Sequence, residues 1–397
     1  MQDAKFKMQN VNAEVRLTFC ILHFELRMLP AMTMKRGALA ATCAGLLAAG
    51  GIMNAQAPTP FKLGTFQLQN RTFIGIVVRD TQVIDFAAAD SVIGRGRVAA
   101  PADMKQLIER YDAGARERIY AVVKAVTSAP GARPNYVHEL SALKTLPPIM
   151  YPMTLLNAAV NYREHGEEMD RRAGQQQAAG APPPGTALPG TKSAPGIWER
   201  KPGDTRWNPY AFLKAPSAIV GEGDAIRIPK GRTQIDWECE LGVVVSKMAS
   251  QVPVAQAANY IFGYTNEMDV SDREGRGDSR YGSDWLIGKS HDTFAPMGPF
   301  ITPKEFVPNP QNLPVKFSLN GKLMQDATTQ LMIHDVFELV SYGSSIMTLR
   351  PGDVIATGTP SGVGSARQPP IYLKPGDKTV CTYEGVGTLT NRVEAAS

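Results

Sequence analysis

Cysteine is scarce in this chain: Cys20, Cys43, Cys239 and Cys381 are the whole complement in 397 residues. Their spacing matches neither a zinc site nor a dense disulfide framework. No apolar run reaches the roughly 18 residues of a membrane span. Charge of one sign is also missing. Lys and Arg number 42 against 37 Asp and Glu, a net +5, which gives no basis for a nucleic-acid-binding face. Histidine is rare, with five residues, but acids are common enough that a chance His–acid neighbour is not unusual. What remains is a chain that is 43% hydrophobic and 20% charged, enough apolar material for a sizeable core. Gly 36 and Pro 30 lie above average usage and call for many turns. A soluble enzyme of two or three domains is the leading class.

Met34-Lys35-Arg36 is a basic start, followed by an uncharged run from Gly37 to Ile52 and then Ala55-x-Ala57. The three parts together read as a secretory signal peptide over about 34–57. Export to the periplasm or beyond is expected, and a cytoplasmic location if the signal is not used. Residues 1–57 are therefore set aside as an N-terminal extension. Cys239 and Cys381 lie beyond them. An oxidising compartment would pair these two only if the fold brings them together, which sequence does not show.

Residues 61–88 (FKLGTFQL, TFIGIVV, TQVIDFAA) read as short strands. A helical pattern of apolar residues spans 102–126. These make 58–150 a small α/β N-terminal domain. Residues 171–206 are rich in Gln, Ala, Gly and Pro and read as a flexible insert, with Trp198 and Trp207 leaving room for a docking lid. From 208 onward short strand-like runs alternate with Gly, Pro, Asp and Asn, with short helices fitting at Val254–Tyr260 and Ile333–Ser345. The fold class is β-rich α+β, with 151–397 as the catalytic domain.

The sharpest motif is Asp236-Trp237-Glu238-Cys239-Glu240, leading into Leu241-Gly242-Val243-Val244-Val245. Strand alternation puts the three acids on one face and Trp237, Cys239 and Leu241 on the other. Such a face is either a solvated strand end or an oxygen-only site for Mg²⁺, Mn²⁺ or Ca²⁺. Four more acids follow at Glu267, Asp269, Asp272 and Glu274, equally open to a surface-turn reading. His165 and Glu168 stand three apart, close enough on a helix to share a proton or merely to touch at the surface. Lys289 would stabilise an oxyanion in a closed site, or simply be solvated. Thr357-Gly358-Thr359-Pro360-Ser361-Gly362-Val363-Gly364 is a Gly-rich turn that either serves as an ordinary tight turn or offers backbone N–H groups to an anion. It lacks the Lys-Ser/Thr ending of a P-loop.

Taken in order, NYREHGEEM, FLKAPSAIVGEGDAIRIP, IDWECELGVVV, FGYTNEMDVSDRE, GKSHDTFAPMGPFI, LRPGDVIATGTPSGVG and YEGVGTLTNRV resemble the fumarylacetoacetate hydrolase family, over roughly 61–395 apart from the insert. The resemblance implies a mixed, rolled β-structure behind a smaller N-terminal domain, often in a homodimer. It implies a divalent metal, Mg²⁺ with Mn²⁺ or Ca²⁺ as alternatives, on Glu238, Glu240 and Asp269. His165 and Glu168 would position water, Lys289 would balance charge, and Tyr162, Arg273, Gly358 and Thr359 would contact substrate. The implied substrate is a small 2-oxo or 1,3-diketo acid of the acylpyruvate kind, cleaved at a C–C bond by hydrolysis. Decarboxylation, isomerisation or hydration at the same site is the alternative, and an exported non-catalytic binding protein is the third reading. Nucleic acid and membrane are not expected partners. The chain departs from the family pattern at Met268, where Asn is usual, at Glu274 for Asp, at His291 for Phe, and in 275–284, which lacks a common Gln.

Overall fold

The computed structural model describes residues 59–94, 98–128, 133–178 (backbone alone for 172–178), 198, 204, 206, 208–275 and 284–396. The signal-peptide stretch, Cys20, Cys43, Trp207 and most of the 171–206 insert lie outside them.

The first three strands, Lys62–Leu68 (β1), Arg71–Val78 (β2) and Gln82–Asp85 (β3), form an antiparallel meander. The third is shorter than the sequence implied. Asp85 accepts a hydrogen bond from the Ala88 N–H at 3.2 Å, capping a helix at Phe86–Ile93 (α1). The single helix expected over 102–126 is split into Met104–Arg110 (α2) and Arg116–Ser128 (α3). A π turn separates them, with Gly114 at φ +108°. Val137–Glu139 (β4) and Lys144–Leu146 (β5) follow.

The remainder comprises Leu155–Ala159 (β6), Arg163–Ala178 (α4), Tyr210–Lys214 (β7), Ile219–Val220 (β8), Ala225–Ile228 (β9), Ile235–Asp236 (β10), Cys239–Val245 (β11), Ile261–Met268 (β12), Ser271–Asp272 (β13), Trp285–Lys289 (α5), Ala295–Pro303 (β14), Pro314–Leu319 (β15), Lys322–Thr328 (β16), Val336–Ile346 (α6), Val354–Ala356 (β17), Lys378–Tyr383 (β18) and Gly387–Ala395 (β19). Helix α4 runs into the stretch read as loose from Arg171. RRAGQQQA is rich in good helix formers, and that local propensity prevails.

A 12-stranded mixed sheet has the order β4-β3-β2-β1-β14-β12-β11-β17-β6-β7, with β5 on β1 and β8 on β14. A second sheet runs β16-β15-β18-β19-β9, and β10 pairs with β13 alone. β1 meets β14 at Leu63 opposite Ile301, so the sheet runs across the domain boundary expected near 150, and Pro58–Ser397 forms one compact unit. The main core lies where β11 faces the second sheet. Trp237, Cys239, Leu241 and Val243 are fully buried there with Phe317, Cys381 and Tyr383. Each large apolar side chain contributes about 1.5–3 kcal/mol by leaving water, which fixes the register of β11 and therefore the direction of the acids on its other face.

Candidate active site

Glu240 projects from the face of β11 opposite that core, and Glu238 lies just before the strand. β12 pairs antiparallel with β11, setting Glu240 opposite Glu267 and Cys239 opposite Met268. The Asp269 N–H then bonds the Glu238 carbonyl at 2.9 Å. This hairpin brings carboxylate oxygens of Glu238, Glu240 and Asp269 within 4.8 Å of one another, all three residues buried. Asp236 does not join them. The ladder breaks at Trp237 and Glu238, and alternation does not carry across a break. The Asp236 carboxylate instead accepts the N–H groups of Trp237, Gly364 and Ser365 and pairs with Arg273. Met268 packs in the core with Cys239, so this departure from the family pattern points away from the acids.

Three cations serve the cluster. Lys289, at the end of α5, reaches Glu238 Oε2 at 2.9 Å and Asp269 Oδ2 at 2.6 Å. Arg273 bridges Asp236 Oδ2, at 2.9 Å, and Glu238. Lys214, wholly buried on β7, reaches Asp269 Oδ1 at 2.5 Å and the carbonyls of Phe294 and Val270 at 2.6 and 3.1 Å. Burial opposes the charge on Glu238, but Lys289 and Arg273 outweigh it and hold its carboxyl well below the usual range. Burial raises Glu240 far above that range, with Asp269, Glu267 and Glu238 adding to the rise. Burial likewise pushes Glu267 up to about 8, with Lys214 opposing.

Five buried carboxylates (Asp236, Glu238, Glu240, Glu267, Asp269) thus face three cationic side chains. Without a metal the raised Glu240 and Glu267 would hold protons, and a divalent cation would let both ionise by balancing the two added negative charges. The oxygen-only donor set suits Mg²⁺, Mn²⁺ or Ca²⁺, so the residues fit such an ion.

His165 lies in the first turn of α4, buried, with Nδ1 3.2 Å from Glu168 Oε2. Glu168 also accepts the Gly362 N–H at 3.0 Å, pinning the helix to the Gly-rich turn. A cavity of about 90 Å³ brings together His165, Glu238, Glu240, Arg273, Lys289 and Thr359, with Met169, Phe212 and Trp285 on its apolar side.

Gly358, Thr359 and Arg273, expected to contact substrate, already have partners within the protein. The Gly358 N–H is given to Glu240 Oε2 at 2.8 Å. The Thr359 hydroxyl donates to the Cys239 carbonyl at 3.2 Å and accepts from Gln325 at 2.8 Å. With Gly362 on Glu168 and Gly364 on Asp236, these amides of the turn serve the protein's own carboxylates. The glycines are required by close approach. Gly358 has φ +89°, and a Cβ there would lie 2.7 Å from Asn161 Cβ. Arg273 lines the cavity but is engaged by two acids. Tyr162 is 1% exposed and is not among the lining residues. Its hydroxyl is driven up by burial beside Tyr383. Sequence reading missed Lys214 and Gln325, and named Glu267 without a role. Period-2 alternation in YAFLK, which sets Phe212 and Lys214 on one face, was the available signal for the lysine.

Fold and site together point to an enzyme class: a cluster of buried carboxylates able to hold a divalent metal, set against a lysine and a His–Glu pair, on mixed β-sheets. The chain belongs to the fumarylacetoacetate hydrolase family, whose model "Fumarylacetoacetate (FAA) hydrolase C-terminal" matches residues 154–394. It is 39% identical over 186 residues to a mitochondrial oxaloacetate tautomerase, Fahd2a, of Rattus norvegicus, covering 47% of this chain and 59% of that protein. It is 31% identical over 337 residues to the oxaloacetate tautomerase YisK of Bacillus subtilis (strain 168), covering 84% of this chain and 99% of that protein. Among solved structures it resembles maleylpyruvate hydrolase from Sphingobium sp. SYK-6, determined with manganese(II) and pyruvate. The identity is 26% and the TM-score 0.60, over 85% of this chain and 100% of that one.

Proposed function

We propose that this chain is a divalent-metal enzyme that enolises a small 2-oxo acid, and that its reaction is keto–enol tautomerisation of oxaloacetate or a close analogue. The observation that carries the reading is the convergence of Glu238, Glu240, Lys289 and His165 on one small cavity, with Asp269 completing the carboxylate cluster beside it. The names of the rat and Bacillus relatives favour oxaloacetate.

Glu238, Glu240 and Asp269 would hold the cation. When bound, it supplies Lewis-acid polarisation of the 2-oxo carbonyl. Lys289 adds positive charge where the oxygen becomes negative. Glu168 accepts from His165 Nδ1–H and fixes the ring, leaving Nε2 to take the proton from the carbon next to the carbonyl and return it. Met169, Phe212 and Trp285 close the apolar side against water. A second reading, hydrolytic C–C cleavage of an acylpyruvate, is favoured by the same His165–Glu168 pair, which suits activation of a water.

The full chain is to be incubated with oxaloacetate and a series of acylpyruvates, with Mg²⁺, Mn²⁺ or EDTA. Enol absorbance and NMR of the products are followed. The expected result is faster enol–keto exchange of oxaloacetate, lost with EDTA and in E238A. Pyruvate plus a carboxylic acid from an acylpyruvate moves the assignment to the hydrolase. Full activity of E238A in EDTA overturns the metal reading.

A further inference from the structure

Cys239 stands between the ligand residues Glu238 and Glu240, on the opposite face of β11. Its sulfur is bonded to that of Cys381 in β18, with the Cα atoms 5.6 Å apart and 142 residues between them in sequence. That separation is normal for a disulfide. The bond joins the two sheets directly behind the acidic cluster. It is reinforced from the same side: the Cys239 N–H donates to Gln325 Oε1 at 3.2 Å, and the Cys239 carbonyl accepts from the Tyr383 hydroxyl at 3.4 Å. Gln325 lies on β16 and Tyr383 on β18, so the second sheet holds this residue by one covalent and two polar ties. Neither cysteine is exposed.

We propose that the Cys239–Cys381 cross-link is a positioning device for the metal centre: the chain matures oxidised, and the bond sets the affinity of Glu238, Glu240 and Asp269 for their cation. The inference rests on the metal reading above. Fixing Cys239 fixes the backbone on which both glutamates ride, so less ordering is left to be done when the ion binds. Bond formation is thiol–disulfide exchange with a disulfide-bearing oxidant. The Cys239 thiolate attacks one oxidant sulfur and expels the other as thiolate. The Cys381 thiolate then attacks Cys239 Sγ in the mixed disulfide and expels the second. Two electrons and the two thiol protons end on the oxidant, which leaves as a dithiol. Burial of both sulfurs places this step before the sheets close. An oxidising compartment supplies such oxidants, in keeping with the export expected from residues 34–57.

The test uses the full chain isolated from an oxidising host. Unfolding without reductant, alkylation and peptide mapping should leave Cys239 and Cys381 unmodified, and prior reduction should expose both. Mn²⁺ binding is then measured by calorimetry on the native chain and on C239A/C381A and C239V/C381A, each checked by circular dichroism and melting. Both variants should bind Mn²⁺ at least about tenfold more weakly at temperatures where they are folded. If neither variant folds, the wild-type chain partly reduced in sub-denaturing urea and separated by thiol capture takes their place. Alkylation of both thiols without reduction, or Mn²⁺ affinity unchanged within about twofold, overturns the proposal. A native chain that carries the bond but binds no Mn²⁺ overturns the metal reading and the positioning role with it.

Discussion

Lys214→Met removes a cation that has no contact with water. Its ammonium is fully buried and bonds Asp269 Oδ1 and the carbonyls of Val270 and Phe294. Methionine fills most of the volume, so the loss is chiefly electrostatic. Breaking a buried ion pair from one side costs about 3–5 kcal/mol, because the partner is left charged and dry. Asp269 keeps Lys289 on its other oxygen, which argues for the lower half of that range. Glu267, whose ionised form Lys214 favours, loses support at the same time. Against a total stability of about 5–15 kcal/mol, the variant should melt roughly 4–6 °C lower in EDTA, given about 2.1 cal/mol/K of unfolding entropy per residue. Mn²⁺ should restore part of this, since it neutralises the same carboxylates. A ligand at a hundredfold excess over its Kd contributes about 2.7 kcal/mol, and its contribution should be larger in the variant than in the parent. Differential scanning calorimetry of both proteins, with EDTA and with saturating Mn²⁺, measures the four melting points. A K214M chain that melts within about 1 °C of the parent in EDTA, or that gains no more from Mn²⁺ than the parent does, refutes the charge accounting.

His165→Gln should lower kcat by about 10²–10⁴ while leaving Mn²⁺ affinity within about twofold. Glu168→Gln should cost less, because its amide oxygen still accepts the Gly362 N–H; steady-state kinetics beside calorimetry separates the two effects. Away from the site, burial works to raise Glu338, but His334 and Arg206 outweigh it and bring its carboxyl down to about 2 from an ordinary 4.5. A depressed folded-state value means that this stability is complete above about pH 4.5 and lost as the pH falls through about 2. Glu338→Gln should therefore be less stable than the parent at pH 7 and indistinguishable from it near the acid end of that window, as read by urea unfolding from pH 7 downward. A deficit that stays constant with pH rules the linkage out.

How much of this was legible follows from the range of each interaction. Within β11, alternation sorted Cys239 and Leu241 into the core and Glu240 to the opposite side, because the period of a strand is local. The same rule failed at Asp236, where the ladder breaks and a carboxylate can turn to the Gly364 and Ser365 amides 128 and 129 residues away. The His165–Glu168 pair was legible because both residues sit on one helical turn. Lys214 and Cys381 were not assigned, since their partners lie 55 and 142 residues off, and no local period encodes such a distance. Trp198 is an intermediate case. It is 6% exposed, with ring contacts to His334 and Tyr342, which bears out docking of that residue though not of the whole insert.

The Gly-rich turn shows why residue type alone left a role open. Its amides were available for an anion, and anions do take them, but these are the site's own acids. Gly358 holds Glu240, Gly362 holds Glu168, and Gly364 holds Asp236. A carboxylate that accepts a backbone N–H needs less help from a mobile cation to stay buried, so the turn stabilises the cluster without blocking its open side. Positive charge for a substrate carboxylate must then come from elsewhere. Arg273 is committed to Asp236 and Glu238, and Lys214 has no path to the cavity. Among the described residues lining the cavity, Lys289 is the other cation, and it too is paired with two acids, Glu238 and Asp269. On the proposed function, recognition of a 2-oxo acid and binding of a cation would therefore draw on the same charges, which is the arrangement expected of a site that binds its substrate through the group it activates.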